Sequence, residues 1–395
     1  MTAGIRANRP SRRKQWMWLG LIVALAILTY QLSGLIARPG VLADDYVEYW
    51  AAGRLNLGGD NPYAGDQLLP LERAAGRRTE VLLMWNPPWT LAFAMPLALF
   101  SYPISRLMWL ILSIVMILTA TNWTWTLLGG STQKRWFASV IAFTFFPAIS
   151  VLRIGQIGPV LLLGVVGFLH FEHNKRYWLA GAFAALLAIK PHLLYLVCIS
   201  ILVWSIGRRR WGILGGGALI LLSATLTAMM FNPHVITQYL SATVAESPLV
   251  WMTPTFGSLL RLLLGPERIW LQFVPMVAGI FWLGLYGLKY RADWLWADRM
   301  PLLLLVSVVT APFGWPFDQV VLIPAVLQAT IQLFATSRGR IVYGTIISYL
   351  AVNIAAFAIH GRFSNFWQLW LAPVLLILYL LVQRWSRHTS VQVHR

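Results

Sequence analysis

The chain has 395 residues, 58% of them hydrophobic and only 11% charged, with 21 tryptophans and a formal net charge of +18. That apolar share excludes a string of soluble domains and implies a polytopic membrane protein. In a soluble protein the positive balance would suggest nucleic acid, but here the basic residues sit in short clusters between apolar runs, as membrane topology demands, so no nucleic-acid partner is expected. The single cysteine, Cys198, lies inside an apolar run, which excludes a disulfide framework and a cysteine-based metal site.

Arg6, Arg9, Arg12, Arg13 and Lys14 precede an apolar run from Trp16 to Ala37. The run exceeds the roughly 7 to 15 residues of a signal-peptide core and meets the roughly 20 needed to span a bilayer. It reads as an uncleaved anchor behind a cytoplasmic basic tail, residues 1–15. Residues 38–102 then form the first external loop. Pro39-Gly40 ends the anchor, and the stretch from Asp44 to Tyr63 (DDYVEYWAAGRLNLGGDNPY) follows. Asp45, Tyr49 and Ala52 recur at i, i+4 and i+7 and share one face of a short helix, which Gly58-Gly59-Asp60-Asn61-Pro62 ends as a turn. Two readings of Asp44 and Asp45 are open: a general base at the mouth of a membrane cavity, or caps on the positive end of that helix. The apolar segment from Met84 to Phe100 carries Pro87, Pro88 and Pro96 and reads as lying along or dipping into the interface.

Apolar runs follow at about 103–128, 136–152, 157–171, 177–190, 192–206, 211–231, 269–288, 300–312, 318–335, 341–359 and 366–383, which with the first make about twelve spans. Alternating the loops puts Lys134-Arg135, Lys175-Arg176, Arg208-Arg209-Arg210, Lys289, Arg291, Arg299, Arg338, Arg340, Arg384 and Arg387 on one side. The positive-inside rule is then met throughout, with both termini, including the tail 384–395, in the cytoplasm. No organellar targeting signal is seen, so a plasma membrane is expected. The opposite loops gather Arg153 to Gln156, Lys190 to His192, residues 232–268, Trp315 to Gln319 and His360 to Arg362, so the external face is expected to be the functional one. Helices of about 14 residues rise only about 21 Å, less than a hydrocarbon core of about 30 Å. The turns at Gln156 and Lys190 are therefore expected below the outer surface, lining a cavity.

A charge at mid-membrane costs about 2.5 to 3.5 kcal/mol on insertion scales. Lys190, flanked by apolar residues, thus faces a polar cavity, meets a partner such as a phosphate, or snorkels from a helix end. Arg153 offers an anion site or a wet turn; Arg261, Arg268 and Arg362 extend a cationic pocket or anchor at the interface. The irregular run from Ala311 to Gln319 (APFGWPFDQ) is tolerated at membrane depth mainly where it lines a cavity; its Asp318 reads as a second acid, a partner for Lys190, or a loop cap. His192, His234 and His360 form no zinc signature. No cofactor is expected, with a divalent ion on Asp44, Asp45 and Asp318 as the minor alternative. No Ser-His-Asp spacing, Walker loop or dinucleotide fingerprint occurs.

Several of these blocks stand in an order that resembles glycosyltransferase family 87, the polyprenol-phosphate-mannose-dependent mannosyltransferase-like proteins of the GT-C superfamily. The carriers are Asp45-Tyr46-x-x-Tyr49-x-x-Ala52 with Gly58-Gly59 and Pro62-Tyr63, then Asn86-Pro87-Pro88 with Pro96-Leu97, Gly155-Gln156, Lys190-Pro191, Ser258 to Arg261, and Pro312 to Pro324. One departure is that the family's last block often carries a histidine after the tryptophan, where this chain has Asp318 and Gln319. The resemblance implies an all-α, GT-C-like bundle of about twelve transmembrane helices with short interfacial helices in the long first external loop. It implies transfer of a hexose, by analogy mannose, from a polyprenyl-phosphate carrier to a glycolipid or glycan hydroxyl, with membrane lipids as the surroundings. Asp45, beside Asp44, becomes the expected base; Lys190, Arg153 and Arg261 bind the donor phosphate; Tyr49, Gln156, His192, Trp315, Asp318 and Gln319 line the substrates. Two other classes compete. A flippase for a lipid-linked sugar is disfavoured because the two halves lack matched broken segments, and a non-catalytic scaffold for envelope assembly would not need Asp45.

Overall fold

A computed structural model describes residues 45–245, 249, 251–335 and 339–393. The basic tail, the first apolar run and Asp44 lie outside the described residues. Those that are described form 17 α-helices and no β-strand, the all-α polytopic architecture that the composition implies. In chain order they are α1 Tyr46–Gly58, α2 Gly65–Ala74, α3 Leu91–Ala98, α4 Tyr102–Leu127, α5 Arg135–Thr144, α6 Phe146–Ile154, α7 Gly158–His173, α8 Tyr177–Ala184, α9 Tyr195–Gly207, α10 Trp211–Phe231, α11 Val235–Ala245, α12 Phe256–Leu264, α13 Val274–Tyr290, α14 Trp296–Thr310, α15 Ile323–Ala335, α16 Gly339–Ile359 and α17 Leu371–Val393. Short 3-10 turns at Ala185–Ile189 and Pro316–Leu322 extend α8 and precede α15.

Among the described residues six helical stretches are long and apolar enough to cross a bilayer, and a seventh span forms if the bent pair Thr132–Thr144 and Phe146–Ile154 is taken as one. Of the other expected runs, those at 157–171, 177–190 and 192–206 are the shorter apolar helices α7, α8 with its 3-10 extension and α9, the run at 300–312 falls largely in α14, and the first lies outside the described residues; the short apolar helix α11 was not among the expected spans. The run expected at 136–152 as one span is instead bent by 60° at Phe145, whose backbone is extended. Such a break orphans backbone groups that lipid cannot satisfy. Asn353 of α16 supplies the missing acceptor, its Oδ1 taking a hydrogen bond from the Phe146 amide at 2.7 Å. The loop expected at 232–268 holds two helices, α11 and α12. Helix α3, eight residues long, rises about 12 Å and is too short to cross.

The core sits around α7, whose Leu161, Leu162, Val165 and Phe168 are fully buried and which packs against α4, α8 and the 316–322 turn. Helix α1 packs on α3 and α4. Tyr46 hydrogen-bonds Ser105 at 2.6 Å and stacks on Trp109 at 5.5 Å, and the Trp50 indole donates to the Phe100 carbonyl. Gly59 ends α1 with φ +81°; its amide and that of Asp60 return to the Asn56 and Leu55 carbonyls, the paired bonds of a Schellman end.

Gly155 ends α6 with φ +75° and lies so close to α1 that an added Cβ would stand 2.6 Å from the Tyr46 Cβ. Its carbonyl accepts from the Trp109 indole at 2.7 Å. Arg106, buried in α4, donates to the Leu152 and Arg153 carbonyls, two of the acceptors that α6 leaves open at its end. Gly155→Ala is expected to lower stability by more than the roughly 1–2 kcal/mol of left-handed strain, because the methyl must also displace Tyr46. Thermal unfolding of the purified protein measures it.

Candidate active site

Four separate pieces of chain converge on the turn after Gly155. Helix α1 presents Asp45, Glu48 and Tyr49; the α6–α7 turn presents Gln156; the end of the 185–189 turn presents Lys190; the 316–322 turn presents Asp318. Gln156 is the hub. Its Nε2 donates to Asp45 Oδ2 at 3.1 Å and to Glu48 Oε1 at 3.4 Å, while its Oε1 accepts from the Tyr49 hydroxyl at 2.9 Å and from Lys190 Nζ at 3.3 Å. Only this orientation of the amide pairs donors with acceptors on both sides, so the network fixes it. The two short-helix turns expected to line a common cavity, at Gln156 and Lys190, are thus in direct contact.

Lys190 Nζ also pairs with Asp318 Oδ1 at 2.8 Å and stands 5.4 Å from the Phe317 ring centre. Asp318 Oδ2 accepts from the Trp315 amide at 3.0 Å, and the Asp318 amide returns to the Trp315 carbonyl. One carboxylate therefore serves both as the partner of Lys190 and as the cap of the 316–322 turn, two roles that the sequence offered as alternatives. An ammonium has three donors; two are taken among the described residues, leaving one for a ligand.

Asp45 stands at the N-cap position of α1 but makes no side-chain capping bond. Its carboxylate turns to Gln156 instead. Burial pushes its pKa up, opposed by the Gln156 hydrogen bond and the Lys190 charge. Glu48, three residues on and on the same face, was not singled out in the sequence. It is 7% exposed, and burial, then the charge of Asp45, push it up to about 8. Two carboxylates this close do not both ionise readily. Burial and the neighbouring Asp45 charge together favour the protonated form of Glu48 at neutral pH. The i, i+3 spacing within DDYVEY was the available signal. Arg106, an ionisable residue inside an apolar run, was likewise legible by that criterion.

A carboxyl whose pKa rises on folding binds its proton more tightly in the folded state. Its contribution to stability is complete below the unfolded value of 4.5 and is lost as pH rises through the folded value near 8. Glu48→Gln is expected to flatten the fall in melting temperature between those limits, as unfolding scans from pH 4.5 to 9 will read. Equal slopes in both proteins would remove the buried-proton account.

The remaining expected site residues are placed as follows. Arg261 is 4% exposed and donates from Nε and Nη2 to the Pro266 carbonyl and from Nη1 to the Leu249 and Trp251 carbonyls and Gln272 Oε1. It clamps the chain between 249 and 272. The Arg153 side chain is exposed and makes no hydrogen bond or ion pair among the described residues; only its carbonyl is engaged, by Arg106. His192 is exposed, its ring edge-on to Phe313 at 6.3 Å. Trp315 and Gln319 line a narrow slot with Thr255, Phe256 and Pro373, and the buried Gln319 Oε1 has no partner there. Among the described residues no group of three or more His, Cys, Asp or Glu side chains could hold a metal ion.

The family model for glycosyltransferase family 87 matches residues 85–317, more than half of the chain. The chain belongs to glycosyltransferase family 87. It is accordingly a membrane glycosyltransferase, acting on a donor and an acceptor. No curated protein and no solved structure gives a match. The family 87 match includes Gln156 and Lys190 but begins after α1 and stops one residue short of Asp318. The roles of Asp45 and Glu48 therefore rest on what those side chains touch.

Proposed function

We propose that this family 87 protein transfers a hexose, mannose by family analogy, from a polyprenyl-phosphate carrier to a hydroxyl of a glycolipid or glycan on the external face of a plasma membrane, with Asp45 as general base. The observation that carries the reading is the Gln156 bridge. One amide holds a carboxylate on one side and an ammonium on the other, the two groups that such a displacement needs. The acceptor hydroxyl loses its proton to Asp45 as its oxygen attacks the anomeric carbon. The bond from that carbon to the phosphate oxygen breaks, and the lipid phosphate leaves with the bonding pair. A positioned base typically contributes about 10² to 10⁴ in rate, and the charge that develops on the leaving phosphate is stabilised by a fixed cation. Lys190, with its free donor beside Gln156, is that cation; Arg261 is buried and bonded to the segment from 249 to 272 and not to Gln156 or Asp318. Tyr49 and Gln156 hold the two ends in register, and the attack from the side opposite the phosphate inverts the anomeric centre. A lipid carrier needs no nucleotide site, in keeping with a sequence that has no phosphate loop.

The deciding experiment supplies the purified protein in lipid vesicles with polyprenyl-phosphate hexoses and a panel of glycolipid acceptors. Acceptor-dependent release of polyprenyl phosphate, with no sugar crossing the vesicle membrane, is expected. Sugar movement across the membrane without release would replace the reading with a flippase.

A further inference from the structure

A second cleft opens away from the Gln156 hub, between the chain from 61 to 65, the segment 83–85 and helix α11. Its volume is about 220 Å³, more than the roughly 150 Å³ that admits a benzene ring in an engineered cavity. Its lining combines rings and neutral polar groups: Asn61, Tyr63, Trp85, Gln238, Tyr239 and Ser241. In a chain with 31 Lys and Arg and 13 Asp and Glu, none of the residues lining it is charged.

The rings are held in place. Tyr63 and Tyr239 meet at 5.3 Å with their planes tilted by 55°, and Trp85 abuts Trp251 edge-on at 4.9 Å. The polar groups are partly spent: Asn61 Oδ1 accepts from the Tyr63 amide and Gln238 Oε1 from Asn232. Asn61 Nδ2, Gln238 Nε2, the Tyr239 hydroxyl and the Ser241 hydroxyl make no hydrogen bond among the described residues. A cleft lined by aromatic residues and edged by unspent neutral donors matches a pyranose, whose C–H face packs on an electron-rich ring and whose hydroxyls take the donors. It does not match a phosphate, which needs a cation or a helix N-terminus, nor a bare isoprenoid, which would strand those polar groups.

The cleft is tied to the hub by two hydrogen bonds. The Tyr63 hydroxyl donates to the Asn86 carbonyl at 3.2 Å, and Asn86 Nδ2 donates to the Ile189 carbonyl at 3.2 Å, one residue before Lys190. We propose that this cleft is the acceptor subsite and binds an uncharged hexopyranosyl unit of the acceptor. Its assignment to the acceptor rests on the transferase reading above; its chemistry does not.

The test uses the full chain in nanodiscs without donor. A diazirine-bearing methyl hexopyranoside is photo-crosslinked and the adducts are mapped by mass spectrometry, with methyl hexopyranosides, hexose 1-phosphate and farnesyl phosphate as competitors. Labelling of residues 61–65 and 238–243 is expected, competed at least about ten-fold better by the neutral glycosides, and reduced about ten-fold by Gln238→Ala and Tyr239→Ala, the scale of one lost hydrogen-bonded contact. Competition by hexose 1-phosphate at equal concentration would make the cleft a donor subsite, and competition by farnesyl phosphate a lipid groove. Labelling elsewhere or none at all also overturns the proposal. In the transfer assay Tyr239→Ala is expected to raise the acceptor KM about ten-fold, with kcat within about two-fold; a fall in kcat alone counts against it. If no lipid-phosphate donor is used, the labelling still decides what the cleft binds. If transfer proceeds while labelling fails, only the subsite is lost.

Discussion

Asp45→Asn is expected to lower hexose transfer by about 10² to 10⁴, or to below detection, the span that a positioned base commands, with the melting temperature nearly unchanged. The expectation of an intact fold comes from the geometry. Asp45 is partly exposed, makes no capping bond to α1, and among the described residues its side chain is held only through the Gln156 amide at 3.1 Å. An asparagine oxygen accepts that bond equally well, and Gln156 keeps Tyr49 and Lys190 on its other end. What asparagine cannot do is take a proton at neutral pH. The wild-type rate should rise with pH as Asp45 ionises, above the usual aspartate range because burial pushes its pKa up. Asp45→Glu should retain a fraction of the rate, since the carboxylate survives at a displaced position. Release of polyprenyl phosphate at saturating acceptor is the measurement, and equal rates in wild type and Asp45→Asn would take Asp45 out of the reaction.

The architecture was legible because it is written in periodicity and charge that each segment carries alone. The run expected at 211–231 is α10 at the same bounds and the turn expected at 58–62 ends α1, while the direct contact of Gln156 with Lys190 goes beyond the cavity lining expected of their two turns. Pairing was only partly legible. Asp318 was open as the partner of Lys190 across 128 residues of chain, yet nothing in the sequence selects that partner over a cap, and the structure uses both. Arg261 and Lys190 looked alike as lone cations near helix ends. They differ because five hydrogen bonds to four neighbouring acceptors tie Arg261 down, and those acceptors are mostly backbone carbonyls, which residue type does not encode. The break at Phe145 was missed for a related reason. A single apolar run reads as one helix unless a polar residue elsewhere, here Asn353, can satisfy the backbone that a break exposes.

Lys190→Met separates structure from chemistry at the other end of the hub. The Asp318 side chain is 2% exposed and that of Lys190 is 11% exposed, so removing the ammonium strands a buried carboxylate. Breaking such a pair from one side costs about 3–5 kcal/mol, and a clear drop in melting temperature is expected. The double variant Lys190→Met with Asp318→Asn removes both charges, and the asparagine oxygen can still accept from the Trp315 amide that Asp318 now caps. Most of the stability should return, because the cost lies in the unpaired charge and not in the absent pair. Transfer should not return. The leaving phosphate would still lack the cation that stabilises it, and loss of one such preorganised group costs about 10² to 10³ in rate. Melting temperature and polyprenyl phosphate release, read on the same preparations, therefore dissociate in the double variant if Lys190 acts on the donor. If both recover together, Lys190 is an internal partner for Asp318 and the leaving group must find its counter-charge elsewhere.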